Sequence, residues 1–72
     1  MSNWKIVDKT HTAHLTLRPS LQPGMFVVAV WILPNGVPKG DSPQWAQEFP
    51  SELEARNAGE DMATAKLRAL SP

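Results

Sequence analysis

The chain has 72 residues, of which 42% are hydrophobic, and it carries seven basic and seven acidic residues. This length fits one domain at most, since domains usually contain roughly 100 to 150 residues. The absence of cysteine excludes disulfides, thiolate metal sites and a cysteine nucleophile, and the zero net charge removes the simplest electrostatic reason to bind nucleic acid or membranes.

The first two predicted strands are residues 4–8 and 12–18. In the second segment, Ala13, Leu15 and Leu17 alternate with polar residues, which is the period-two pattern of a half-buried strand. Only three residues separate the two segments, a length that suits a hairpin.

Residues 25–33 are predicted to form the central strand. A Pro23-Gly24 turn precedes them, and every position is apolar, with many β-branched and aromatic side chains. That composition favours a strand over a helix. Residues 34–43 contain three prolines and two glycines and are therefore predicted to form a loop.

Residues 44–49 are interpreted as a short fourth strand that pairs with the third. On this interpretation Trp45, Gln47 and Phe49 share one face of the sheet. Because the loop before this segment is long for a hairpin, a three-stranded and a four-stranded sheet both remain open.

Residues 51–70 are predicted to form a C-terminal helix. Ser51 is a suitable N-cap, and Glu54 three residues later completes a capping box. Gly59 is expected to mark a close approach to the sheet, at a propensity cost of about 1 kcal/mol relative to alanine. At 100° per residue, the stripe predicted to face the sheet consists of Ala55, Ala58, Gly59, Met62, Ala65 and Ala69, with Leu70 at its edge. Leu67 falls near the border of the solvent side, and the sheet residues expected to pack on the stripe are Phe26, Val28, Val30 and Ile32.

These elements predict an α+β fold with two layers. A three- or four-stranded antiparallel sheet packs on one C-terminal helix, in the order β-β-β-(β)-α. Residues 1–72 form a single domain, with the sheet at about 4–49 and the helix at about 51–70.

The third predicted strand is apolar on both faces, although one helix can cover only one of them. An exposed apolar patch usually marks an interaction surface. We therefore predict a homodimer or protein-partner interface formed by Val27, Ala29, Trp31 and Leu33. The alternative is that Trp4, Trp45 or the proline-rich loop covers this face within the chain.

Charge is distributed unevenly along the chain. Residues 1–40 carry four basic residues and one acidic residue, whereas residues 41–72 carry three basic and six acidic residues. A basic sheet with an exposed tryptophan could stack single-stranded bases, so weak binding of single-stranded nucleic acid is the alternative function. An ordinary solvated surface, or charge complementarity between sheet and helix, explains the same pattern. The nucleic-acid contacts would be Lys5, Lys9, His14, Arg18 and Trp31.

The two histidines, His11 and His14, have a spacing that suits metal binding on a helix. On a strand, residues three apart point to opposite faces, and a third ligand would have to come from Asp8 or elsewhere. We therefore interpret both histidines as ordinary strand residues that face solvent, and we expect no metal site.

The remaining candidate catalytic groups also have simpler explanations. The segment Gly40-Asp41-Ser42 resembles the start of a serine-hydrolase motif, but Pro43 replaces the leucine and no general base is placed nearby. The four glycines are isolated from one another, so no phosphate-binding loop is present. The acidic residues Glu52, Glu54, Glu60 and Asp61 are interpreted as solvated, with the first two serving the cap and the helix dipole. We expect no enzymatic activity and no cofactor.

The chain lacks sequence signals for membranes. No apolar stretch that could serve as a signal peptide follows the N-terminus. The longest apolar run has nine residues, whereas a membrane span needs about 20. We expect a soluble cytoplasmic protein of bacterial type that has no contact with membranes.

The second half of the chain contains an apolar strand, an Asn-Gly turn, a phenylalanine before an acidic cap and an alanine-rich helix. The matching pieces are 28–33, Asn35-Gly36, Phe49, 51–55 and 58–70, which span about the last 45 residues. In these pieces the chain resembles small uncharacterised proteobacterial proteins with a β-sheet followed by one helix, and the resemblance implies no activity. The double-stranded RNA-binding domain has a similar element order, but it has a preceding helix and a lysine-rich start to its last helix, and both are missing here.

Overall fold

The computed structural model describes residues 2–70, which form four strands followed by one helix. The elements are β1 (Ser2–Val7), β2 (His11–Pro19), β3 (Phe26–Pro34), β4 (Trp45–Phe49) and α1 (Glu52–Leu70). The strands form one antiparallel sheet in the order β1-β2-β3-β4, so each strand pairs with its neighbours in the chain. The helix packs on one face of this sheet, which confirms the predicted α+β fold. Of the three- and four-stranded sheets that the sequence allowed, the structure has the four-stranded one.

The turn between β2 and β3 is closed by backbone hydrogen bonds. The Ser20 N–H donates to the Met25 carbonyl over 2.8 Å, and the Met25 N–H donates to the Gln22 carbonyl over 3.2 Å. Gly24 has a φ of 78°, a conformation that glycine adopts without the steric cost of a Cβ. Because Met25 belongs to this turn, β3 begins one residue later than the sequence pattern predicted.

Asn35 ties the turn between β1 and β2 to the end of β3. Its Nδ2 donates to the carbonyls of Asp8 and Lys9, both over 3.1 Å, and its N–H donates to the Thr10 carbonyl over 3.0 Å. Its Oδ1 accepts a hydrogen bond from the Thr12 hydroxyl over 2.6 Å. The amide of Asn35 therefore satisfies the buried hydroxyl of Thr12 and crosslinks two loops at one end of the sheet.

Gln44 extends the pairing of β3 beyond the start of β4. Its backbone N–H donates to the Val30 carbonyl over 3.0 Å. Its side-chain amide bonds the backbone of Ile32, two residues further along β3. Nε2 donates to the Ile32 carbonyl over 2.8 Å, and Oε1 accepts from the Ile32 N–H over 3.3 Å. One side chain thus occupies the place of a strand residue at an edge that would otherwise be unpaired.

The helix begins where the capping pattern predicted. The Ser51 hydroxyl accepts a hydrogen bond from the Glu54 N–H over 3.1 Å, and the Ser51 carbonyl accepts one from the Ala55 N–H over 3.0 Å. Ser51 is therefore the N-cap of α1. Within residues 2–70, no helix has both the length and the apolar character that crossing a membrane requires.

The core lies between α1 and the facing side of the sheet. The buried sheet residues Leu15, Val28 and Val30 are less than 2% exposed. The buried positions of α1 are Ala55, Gly59, Ala63 and Leu67, so the predicted stripe was wrong in its second half. Ala65 and Ala69 are exposed, whereas Ala63 and Leu67 are buried. Steps of four residues rotate by 400°, so the real stripe slants across the helix along an i, i+4 ridge and follows a twisted sheet rather than a flat one.

Gly59 lies at the closest approach between the two layers, as predicted. A Cβ at this position would lie 2.5 Å from Cγ2 of Val28 and 3.4 Å from Cδ2 of Leu15. A side chain fits there only if the Val28 side chain or the sheet itself moves away from the helix.

Trp4 connects the edge strand β1 to the helix. Its Nε1 donates to the Glu60 carboxylate over 3.1 Å, and the Arg56 guanidinium lies 4.5 Å from the centre of its ring. Both helix residues are on the same face, four positions apart. The tryptophan packs partly buried against both clusters of the core, so it belongs to the helix side of the sheet.

Candidate functional site

The face of the sheet opposite α1, which we call the open face, carries the residues predicted for an interface. Residues paired across antiparallel strands point to the same face. Lys5, His14 and Trp31 therefore form one row across three strands, and Arg18 lies beside Val27 in another. The open face consists of Asn3, Lys5, Val7, Thr12, His14, Thr16, Arg18, Val27, Ala29, Trp31, Leu33, Ala46 and Glu48.

Trp31, at the centre of the open face, is covered within the chain. It is 8% exposed, and the Lys39 Nζ from the proline-rich loop lies 4.5 Å from the centre of its ring. Trp4 and Trp45 cannot provide this cover because they pack with the core on the other side. The sequence left open whether a partner or the chain itself covers this face. In the isolated chain, the proline-rich loop covers Trp31.

The other members of the predicted interface differ in their exposure. Ala29 is buried, with 7% of its surface exposed, whereas Val27 and Leu33 are half-buried. The apolar surface left for a partner is therefore divided between two sites that flank Trp31 along β3. A partner interface at these residues stays a prediction.

The indole N–H of Trp31 is buried and has no hydrogen-bond partner among residues 2–70. A buried donor without an acceptor costs about 1–3 kcal/mol. The Lys39 ammonium, which lies over the ring, is itself a donor and cannot satisfy it. Lys39 contributes instead through its charge, since a cation over a tryptophan ring is worth about 0.5–2 kcal/mol.

Two lysines and a histidine gather beside Trp31. Lys5, His14 and Lys39, together with Asn3, line a shallow cavity of about 320 Å³. Sequence reasoning singled out Lys5 and His14 but missed Lys39, because nothing local indicates where a ten-residue loop places its side chains. The register of β1, β2 and β3 and the path of the loop bring these three cationic or titratable groups together.

The other proposed nucleic-acid contacts do not join this cluster. Lys9 lies in the turn between β1 and β2, and Arg18 lies near the other end of β2. The one carboxylate on the open face, Glu48, accepts a hydrogen bond from the Ser20 hydroxyl. The open face is therefore basic, with its cations spread over its length.

The two histidines lie on opposite faces, as predicted. His14 is on the open face, whereas His11 is on the helix side and its Nδ1 lies 2.8 Å from the Thr10 hydroxyl. Both are half-buried rather than fully solvent-facing. In residues 2–70, no three histidine or acidic side chains are grouped so that they could hold a metal ion.

All but one of the remaining candidate catalytic groups lie on exposed surfaces. Ser42 and Asp41 are exposed in the loop between β3 and β4. Glu52, Glu54 and Asp61 are exposed on α1, as the sequence indicated, whereas Glu60 is half-buried by its hydrogen bond with Trp4.

Comparison of the chain with models of protein families, with curated proteins and with solved structures finds no match. The resemblance to small proteobacterial proteins therefore stays a prediction, and the functional conclusion has to come from the surfaces of the molecule.

Proposed function

We propose that this chain is a non-enzymatic interaction module that binds a protein partner through the open face. The observation that carries the proposal is that this face combines half-buried apolar side chains, Val27 and Leu33, with lysines beside a buried tryptophan. The opposite face is already occupied by α1. A sheet face of mixed apolar and basic character that no helix covers is typical of a surface that binds another molecule.

The charges on the open face favour a partner that carries carboxylates. Lys5 and Arg18 are exposed and make no ion pair within residues 2–70, and Glu48 already bonds Ser20. Two copies of the chain meeting face to face would bring these cations together, which costs free energy. A different protein with an acidic surface therefore fits the open face better than a second copy does.

Binding of single-stranded nucleic acid is the second candidate. It is supported by the row of Lys5, His14 and Trp31 across three strands. Base stacking needs an open aromatic ring, but Lys39 lies over the ring of Trp31 and leaves the residue 8% exposed. This function requires the loop to leave the open face first, so we rank it below protein binding.

We further propose that the module acts in the cytoplasm of a bacterium. The support is limited to composition: a chain without cysteine does not depend on an oxidising compartment for its stability. The exposed positions of Ser42, Asp41 and Glu52 support the proposal that it is not an enzyme, since catalytic groups usually lie in concave, partly desolvated sites.

Site-specific photocrosslinking tests the proposed interface. A photoreactive amino acid replaces Thr16, in the middle of the open face, and in a matched control it replaces Asn57, which is exposed on α1. We expect the Thr16 position to crosslink one discrete protein in cells, and the Asn57 position not to. The crosslink should be lost in Lys5→Glu and Lys39→Glu variants and retained in an Arg68→Glu variant.

Each other outcome has a definite meaning. A crosslinked species of twice the chain mass would show that the partner is a second copy. A nuclease-sensitive adduct would favour the nucleic-acid alternative. Equal crosslinking from both positions, or from neither, would overturn the proposal that the open face is a protein-binding surface.

A further inference from the structure

A second concave surface lies on the helix side of the sheet, at the end where β3 extends beyond β4. β3 continues to Pro34, whereas β4 begins at Trp45, which pairs with Val30. The last turns of α1 therefore extend over a corner of the sheet that has one strand fewer. The result is a cleft of about 590 Å³, within the range of about 300–1,000 Å³ that small-molecule sites occupy.

The walls of this cleft are mainly apolar. From the sheet side come Ile32, Pro34 and Trp45, and from α1 come Met62, Ala69 and Leu70. Met62 is flexible and polarisable, which suits a wall that adapts to an inserted chain. Leu70 is 47% exposed, so the cleft is open to solvent at the end of the helix.

Lys66 interrupts the apolar stripe that α1 presents to the cleft. Its neighbours at i−4 and i+4 are Met62 and Leu70, and all three line the cavity. No carboxylate occupies a position three or four residues away on the helix, and Lys66 makes no ion pair within residues 2–70. This exposed ammonium group is therefore available to pair with an anion that enters the cleft.

Two further polar groups line the cleft together with Lys66. His11 from β2 and Gln44 from the loop before β4 also line the cleft. Gln44 is engaged with Ile32 through both atoms of its amide, and His11 Nδ1 contacts Thr10. Because the carbonyls at the end of α1 disfavour an anion, an anionic group bound here needs a nearby cation, and Lys66 is the lysine that lines the cleft.

We propose that this cleft binds a monocarboxylate with an aliphatic chain. The chain lies against Ile32, Met62 and Leu70, and the carboxylate pairs with the Lys66 ammonium group. An apolar cavity with one unpaired cation on its wall matches an anionic head on an apolar tail.

Titration of the isotope-labelled full chain with sodium octanoate tests this proposal by NMR. We expect saturable shifts of the Ile32 amide and the Trp45 indole below the concentration at which octanoate forms micelles. Octanol, which lacks the charge, should bind more weakly, and octylammonium should bind most weakly. A Lys66→Gln variant should lose about two- to fivefold in octanoate affinity, the size expected for one solvent-accessible ion pair, and an Arg68→Gln variant should keep it.

A second pair of variants separates loss of the cleft from loss of the fold. Ala69 lines the cleft and Ala65 does not, although both are exposed on α1. Ala69→Trp should fill the cleft and abolish octanoate binding, whereas Ala65→Trp should leave it intact. The proposal is wrong if octylammonium binds as tightly as octanoate, if Arg68→Gln weakens binding as much as Lys66→Gln, or if no saturable shift occurs.

Discussion

A Cβ atom on Gly59 would lie 2.5 Å from Cγ2 of Val28, closer than two carbon atoms can approach without displacement. Val28 is fully buried and β-branched, so its side chain has little freedom to rotate away. The separation of the helix and the sheet is therefore set at this contact. The absence of a side chain on Gly59 makes room for the branched side chain of Val28.

Replacement of Gly59 by alanine should destabilise the protein. Overpacking costs about 1–3 kcal/mol, and the better helix propensity of alanine returns about 1 kcal/mol, so a net loss of about 1 kcal/mol is expected from urea unfolding. In a Val28→Ala background, where Cγ2 is absent, the same substitution should stabilise the protein instead. An equal effect of Gly59→Ala in both backgrounds would show that the two residues do not compete for space.

Replacement of Gln44 by alanine should expose the edge of β3. The variant removes both hydrogen bonds of the side-chain amide to Ile32 and should lower the free energy of unfolding by about 1–2 kcal/mol. Gln47, exposed on β4 and without a side-chain hydrogen bond within residues 2–70, is the matched control, and Gln47→Ala should change stability by less than about 0.5 kcal/mol. Hydrogen exchange of the Ile32 amide should accelerate only in the Gln44 variant; unchanged exchange there would contradict the pairing.

Replacement of Asn35 by aspartate should loosen the crosslink between the two loops. The variant keeps an oxygen for the Thr12 hydroxyl but loses both donors to the Asp8 and Lys9 carbonyls, and it places a negative charge beside those carbonyls. We expect a loss of about 1–2 kcal/mol in unfolding free energy. The isosteric change at exposed Asn57 should be nearly neutral, and a comparable loss at both positions would mean that the Asn35 donors contribute nothing specific.

Replacement of Lys39 by alanine should uncover Trp31. With all three tryptophans labelled with fluorine, the NMR signal of Trp31 should gain a solvent isotope shift, while those of Trp4 and Trp45 stay unchanged. Stability should fall by about 0.5–1 kcal/mol through loss of the cation–π contact. The control is Lys9→Ala. Lys9 lies in the turn between β1 and β2, so this variant should leave the NMR signal of Trp31 unchanged. A Trp31 signal that does not respond to the Lys39 variant would show that other atoms provide the cover.

The elements that depend on neighbours in the chain were predictable from the amino-acid sequence. Alternation in β2, the apolar run of β3 and the Ser51 cap are local patterns, and each one follows from the two-residue period of a strand or the unpaired N–H groups at a helix start. The close approach at Gly59 was also predictable, because a glycine within an otherwise good helix usually has a packing reason.

The surfaces that stay available, by contrast, depend on contacts between distant parts of the chain. The buried stripe of α1 runs through Ala63 and Leu67 rather than Ala65 and Ala69. The helix follows a twisted sheet, and a helical wheel gives no information on the angle between the helix and the sheet. Lys39 covers Trp31 because the path of a long loop depends on contacts made far away in the chain. The cleft at Lys66 exists because β3 is longer than β4, a difference that becomes a cavity only when a helix passes over both strands.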